Sequence, residues 1–349
     1  MDTIQLVLLL ATPFFLVYVT KQAMRQAARK QAAWRRTAER LGLEPDPTTE
    51  EGFRPKLHGT IDGHGVEIEA ITRGGGKSSV TYTVVRSRFP GSVPAGLSLT
   101  RATFASDLRR TLGSQDIPLA DKRLDRTLLV RGSHPAAVQS LLDREPVRKA
   151  LRRFFRNDRY SRVEGRDIIA DRKGFLTGDD LDEMLEATIA VITAVTRVRK
   201  QAWTEIAARH GLTYQAIGPA VRLTGERAAA AVRIETWDGQ STQLTIEIPR
   251  LDRQVRISPG SGGFAERDPI LGGRVCIVGP PTVLSTWFGP TQLDELRGDL
   301  LQVFETWPDA TVRDGTLGIT LPGEPYQSLD AVLGDLCMLA DALGRVASG

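Results

Sequence analysis

Seven cationic side chains crowd into the sixteen residues VRKALRRFFRNDRYSR, Val147 to Arg162. Wound as a helix, this stretch sets Arg148, Arg152 and Arg156 in one stripe with Lys149 and Arg153 beside it. Val147, Leu151, Phe154 and Phe155 then make the opposite, apolar face. Arg159 and Arg162 carry the charge onward. Cations at that density either form a solvated face or hold an anion: a lipid headgroup, an acidic protein surface, or a nucleic-acid backbone. Nucleic acid is the least supported of these. The two phenylalanines belong to the buried face, not to a stacking platform, and no recognition motif accompanies the arginines. Arg148, Lys149, Arg152, Arg153, Arg156, Arg159 and Arg162 are therefore the candidate anion-binding or partner-binding residues.

Other chemistries are poorly furnished. TRGGGKSSVTY at 72–82 has a glycine run before a lysine, but Ile71 stands where a phosphate loop needs its first glycine, and strand pattern follows where a helix should open. A hairpin turn at Gly74–Gly76 is the expectation. His58 and His64 flank a DG turn and could face one another with Asp62 near. The corresponding second-half positions lack them, so no metal is expected there. Cys276 and Cys337 read as buried thiols. The carboxylates Asp179, Asp180, Asp182 and Glu183 open a helix, where they complement its dipole. No nucleophile–base set is legible. The chain is expected to need no cofactor. It is read as a binding or scaffold protein, with an enzyme whose site lies in a cleft between two halves as the alternative.

The elements that would position these residues are written twice. KQAAWRRTAERLGL at 30–43 is echoed by KQAWTEIAARHGL at 200–212. Trp34, Ala38, Gly42 and Leu43 match Trp203, Ala207, Gly211 and Leu212 at an offset of 169. Leu57, Gly59, Val66 and Ile68 match Leu223, Gly225, Val232 and Ile234 at 166, and Leu181, Met184, Leu185 and Val195 match Leu329, Val332, Leu333 and Leu343 at 148. The shrinking offset means loop residues missing from the second repeat. Each repeat reads as a helix ending at a glycine, then strands near 55–61, 65–72, 79–88 and 96–101, or 220–226, 230–236, 242–248 and 253–257. A further strand, a helix (135–156 or 290–306), a short strand and a long amphipathic helix follow. No Gly or Pro interrupts Asp179 to His210, so the last helix of repeat one should run into the first of repeat two. The expected fold is α+β: a single N-terminal transmembrane helix, then two tandem α-β(3–4)-β-α-β-α domains, each an antiparallel sheet with helices on one face. The divisions fall at 1–29, 30–199 and 200–349. The second repeat keeps the apolar skeleton of the arginine helix in Leu300, Val303 and Phe304 but places Asp299, Gln302 and Glu305 outside, so the fold itself does not require the arginines.

Ile4–Thr20, IQLVLLLATPFFLVYVT, is an uncharged run, the length of a short membrane span. It lacks the positive start of a cleaved signal, Asp2 being the one charged side chain before it. Lys21, Arg25, Arg29, Lys30, Arg35 and Arg36 follow, which places the N-terminus outside and the rest in the cytoplasm at the plasma (inner) membrane. Residues 1–200 hold 34 Lys+Arg against 24 Asp+Glu, and residues 201–349 hold 12 against 18, so the halves are oppositely charged. The expected partners are the membrane, through this anchor, and a protein or an anionic lipid. Arginine far outnumbers lysine and alanine is abundant, as in a high-GC bacterial coding background.

Overall fold

The computed structural model describes residues 21–22, 25, 28–46, 56–75, 79–91, 93–102, 116–156, 160–218, 220–227, 230–237, 241–260, 262–263, 270–271, 273–287, 293–322 and 328–348. The expected anchor at 4–20 and Arg159 lie outside these residues. Among the described residues, no helix is long and apolar enough to cross a membrane.

Two similar antiparallel sheets of eight strands, each packed with helices, make a two-domain α+β fold. Repeat one contains helix α1 (28–41) and strands β1 (Glu44–Pro45), β2 (Lys56–Ile61), β3 (His64–Arg73), β4 (Val80–Arg88) and β5 (Ser98–Arg101). It continues with α2 (Lys122–Thr127), β6 (Leu128–Arg131), α3 (Pro135–Leu142), α4 (Glu145–Phe154), β7 (Arg162–Glu164) and β8 (Asp167–Lys173). Helix α5 (Asp179–His210) crosses into repeat two, which holds β9 (Thr213–Ile217), β10 (Ala220–Arg227), β11 (Ala230–Trp237), β12 (Ser241–Glu247), β13 (Arg256–Pro259) and β14 (Val275–Val278). Its remaining elements are α6 (Pro281–Trp287), α7 (Leu293–Thr306), β15 (Thr311–Arg313), β16 (Thr316–Pro322) and α8 (Leu329–Ser348). The sheet orders, β1-β2-β3-β4-β8-β7-β5-β6 and β9-β10-β11-β12-β16-β15-β13-β14, are one topology used twice.

The period-2 alternation explains each core. Val66, Ile68, Ala70 and Val85 are buried in one cluster with Leu181, Met184, Leu185 and Trp34. The alternating residues Glu67, Glu69 and Arg86 are ion-paired on the other face. Repeat two repeats the pattern in its own cluster around Trp203, Val232, Ile234, Leu244 and Leu333. Both first helices stop in the same way. Gly42 and Gly211 adopt φ of +65° and +66°, which lets the Leu43 and Leu212 amides bond back to Ala38 and Ala207 at 2.9 and 2.8 Å. The returning strand then passes over that cap at a glycine. A Cβ on Gly59 would stand 2.7 Å from Leu43 Cδ2, and one on Gly225 2.9 Å from Leu212 Cδ2. The L-x-G echo is therefore a packing requirement. Helix α5, 32 residues or about 48 Å long, joins the two cores without a break.

The structure corrects several sequence expectations. The helix expected over 135–156 is two helices, broken at Asp143–Arg144, because Pro146 favours the first turn of a new helix over the interior of an old one. The helix expected over 290–306 is α7, Leu293–Thr306, and a further short helix not expected from the pattern, α6, precedes it. The single short strand before each last helix is a hairpin, β7–β8 and β15–β16, turning at Gly165 and Gly315. His58 does not face His64: in the β2–β3 register His58 lies opposite Glu67 and His64 opposite Ile61. The hairpin expected around Gly74–Gly76 is formed in that β3 and β4 pair antiparallel up to Arg73↔Val80; Gly76 lies outside the described residues.

Candidate functional site: a groove beside the basic helix

Helix α4 buries Val147, Ala150, Leu151 and Phe154, and this leaves Arg148, Lys149, Arg152 and Arg153 facing outward. Phe154 and Phe155 pack edge to face at 4.9 Å in the core. The helix ends there, capped at Phe155, so the expected single basic stripe does not form. Arg156 lies just past the cap, and Arg162 sits on β7 across a turn. Phe154 ends the helix and Phe155 caps it, both buried in the core, so the stripe is cut before Arg156.

The cations also differ in what they already hold. Arg152 bonds the nearly buried carboxylate of Asp121. Asp121 caps α2, accepting from the Arg123 and Leu124 amides at 2.9 and 3.3 Å. Burial pushes the Asp121 carboxyl up, but Arg152 and those two amides outweigh it and hold it below the usual carboxylate range. Arg153 bonds Glu186 of α5 at 2.6 Å, and Arg162 bonds Glu164 at 2.8 Å. Arg148, Lys149 and Arg156 make no ion pair among the described residues. Three of the seven candidate cations are therefore spent on the fold.

The sequence reading missed the feature beside this helix. Between the end of α1, the β2–β3 turn, α4 and α5 lies a groove of about 770 Å³. Its floor is apolar: Leu41, Ile61, Leu185, Ile189, Ala190 and Ala194. Two pairs close its sides, Arg40–Asp182 at 2.6 Å and Arg153–Glu186. Lys149 and Arg197 stand on the rim without an ion pair among the described residues.

Repeat two shows what makes the groove. The pair Arg40–Asp182 recurs as Arg209–Asp330, at offsets of 169 and 148, joining the end of the first helix to the start of the last in both repeats. The floor residues Leu41 and Ile61 correspond to His210 and Arg227. His210, its side chain 8% exposed, has Nε2 2.6 Å from Asp330 Oδ1. Its Nδ1 lies 2.8 Å from an Arg227 guanidinium nitrogen. An arginine can only donate, so Nδ1 accepts and Nε2 carries the proton given to Asp330. Donation from His210, then from Arg209, holds the Asp330 carboxyl below its ordinary range against a smaller effect of burial. A polar chain thus occupies the place of the apolar floor. It is not general-base machinery, because Arg227 already takes the lone pair a base would use. The Cys337 thiol is pushed up by burial more than the charge of Arg227 pulls it down, so it stays protonated and a poor nucleophile.

Comparison with protein-family models, with curated proteins and with solved structures returned no match.

The groove could have been suspected from the offsets alone. Once the repeats are aligned, Leu41/His210 and Ile61/Arg227 are apolar-to-polar exchanges at positions that end a helix and a strand. What the sequence does not say is that these two ends meet.

Proposed function

We propose that this chain is a membrane-anchored, non-enzymatic binding protein, held by residues 4–20 with residues 21–349 in the cytoplasm. Its first repeat receives an amphipathic segment of a protein partner. The observation that carries this reading is the groove on α5. It combines an apolar floor with two rim cations, Lys149 and Arg197, that make no ion pair among the described residues, although Asp62 also lines the groove. An amphipathic helix laid in such a groove buries one face on the floor, and acidic residues along its flank meet the rim. The second repeat, with His210 and Arg227 in place of the floor, acts as the inert copy. The anchor keeps the groove near the membrane face, where its partner is also to be found.

The test is site-specific photo-crosslinking in the full-length, membrane-inserted chain. A photoreactive residue at Ala190, on the groove floor, should yield a discrete protein adduct. The same residue at Met338, the matching position of α8, should not. Lys149→Glu with Arg197→Glu should reduce the Ala190 adduct several-fold while Ala190 itself is untouched. Equal adducts at Ala190 and Met338, or an Ala190 adduct indifferent to the two charge reversals, would refute the reading. Recovery of the full chain in the alkaline-soluble fraction would refute the anchor.

A further inference from the structure

The residues of β8 alternate between two faces of the sheet. Ile168 and Ala170 enter the core of repeat one, which puts Asp171 on the opposite face. A carboxylate there is expected to meet water. Asp171 does not: its side chain is 0% exposed. Its Oδ2 accepts from one guanidinium nitrogen of Arg73, and its Oδ1 is buried with no hydrogen-bond partner among the described residues. A buried carboxylate with one oxygen left bare is costly. The fold does not require it. In the matching register of repeat two, Val84↔Asp171 becomes Gln243↔Thr320, and Thr320 is exposed.

Two tyrosines stand beside this pair. Tyr82 on β4 and Tyr160, just before β7, meet edge to face at 5.6 Å with their planes 83° apart, so they form two walls of a corner. The Arg73 guanidinium carbon lies against both walls, 4.7 Å from the Tyr82 ring centre and 5.9 Å from that of Tyr160. Buried Ser161 accepts from the Asp171 amide at 3.1 Å, which fixes the residue after Tyr160 beside β8. The side chain of Arg73 is 42% exposed and Tyr160 is 47% exposed, so the corner borders water. Repeat two keeps neither wall. Its strand registers put Ser241 in the place of Tyr82 and Asp309 in the place of Tyr160.

We infer that this corner is a binding site for an external guanidinium group, and that Arg73 is its resident occupant, exchanged for the ligand. A carboxylate flanked by two tyrosine rings selects an organic cation. The bare Oδ1 selects a cation that can donate. A quaternary ammonium would leave both carboxylate oxygens unbonded, whereas a guanidinium fork reaches both at once. Arg73, tethered at the end of β3, gives the carboxylate one nitrogen, so a freely placed guanidinium makes a bond that the resident does not. The exchange keeps the buried charge paired: one guanidinium leaves as another enters, and the displaced Arg73 side chain moves into the water it already borders. The group belongs to a small free guanidine or to an arginine of another polypeptide, one chemistry from two sources. This inference is independent of the groove.

The test uses the full chain in detergent with its five tyrosines replaced by 3-fluorotyrosine, the Tyr82 and Tyr160 fluorine signals being assigned from Tyr82→Phe and Tyr160→Phe. Ethylguanidinium should shift these two signals saturably and leave that of Tyr214, in repeat two, in place. Tetramethylammonium, which cannot donate, should shift neither. Asp171→Asn should abolish the response. Arg73→Ala should bind ethylguanidinium roughly tenfold or more tightly, because the resident no longer competes, and this keeps the inference testable where Asp171→Asn does not fold. The peptide acetyl-Ala-Arg-Ala-amide separates the two sources: a response matching that of ethylguanidinium admits the arginine of a polypeptide, and none restricts the site to small free guanidines. A wild-type chain silent to ethylguanidinium would overturn the inference even where Arg73→Ala responds, since Arg73 would then be a fixed part of the fold. So would a response shared with tetramethylammonium, or one that survives Asp171→Asn.

Discussion

Asp330→Ala and Asp182→Ala remove the same carboxylate from the same place in the two repeats, yet the first should cost about 1–2 kcal/mol and the second under about 1 kcal/mol. In repeat one the partner is Arg40, 48% exposed, and water replaces the lost carboxylate at once. Exposed pairs of this kind contribute about 0.2–1 kcal/mol. In repeat two Asp330 accepts from Arg209 and also from His210, whose side chain is 8% exposed. Removing it leaves the Nε2–H without an acceptor, at about 1–3 kcal/mol for a buried donor. Asp330 is itself 43% exposed, so water reaches part of the gap and the lower half of that range applies. Native-state hydrogen exchange on the solubilised full chain separates the two effects. The opening free energy of β16 amides should fall in Asp330→Ala, and that of β8 amides should hardly move in Asp182→Ala. Acid gives a second reading. The carboxyl of Asp330 is depressed in the folded state, so its contribution is complete above the unfolded value near 4 and is lost as pH falls through the folded value. The gap between Asp330→Ala and wild type should persist at neutral pH and close below about pH 4. Equal losses in the two variants, or a gap that widens in acid, would refute the reasoning.

Gly59→Ala and Gly225→Ala should each cost about 1–3 kcal/mol in urea denaturation, because the new methyl would meet the leucine that follows the helix cap; Gly65→Ala, with open space around it, should be neutral or stabilising. Arg152→Ala should cost about 1–2 kcal/mol by leaving the nearly buried Asp121 with only its backbone donors, whereas Arg148→Ala should stay within about 0.5 kcal/mol. The same Arg152→Ala change should shift acid unfolding, followed by circular dichroism, to higher pH: Asp121 loses the donor that holds its carboxyl down, so its contribution disappears earlier as pH falls.

What the sequence determined by itself is everything that depends on neighbours along the chain. The alternation of VEIEAI and LTIEI fixes which strand face is buried, and the strands fall within a few residues of their expected limits. Gly42 and Gly211 mark helix ends because no other residue enters the left-handed region as cheaply. The uninterrupted apolar period from Asp179 onward yields one helix through both repeats. The offsets 169, 166 and 148 expose the duplication. Tertiary structure alone decided what the charges and edges do. Arg152 and Asp121 are 31 residues apart, and Arg40 and Asp182 are 142. No local pattern says that one arginine of a basic run holds a cap while its neighbour faces water. The groove depends on Leu41 and Ile61 meeting from two different elements, and its absence in repeat two on His210 and Arg227 reaching each other and Asp330. Strands β1 and β9, which the pattern did not predict, appear only because the chain after each first helix folds back onto the next strand. Periodicity is a property of one segment, whereas burial of a charge, depth of a groove and pairing of an edge strand belong to the segments that surround it, and only the folded chain brings those together.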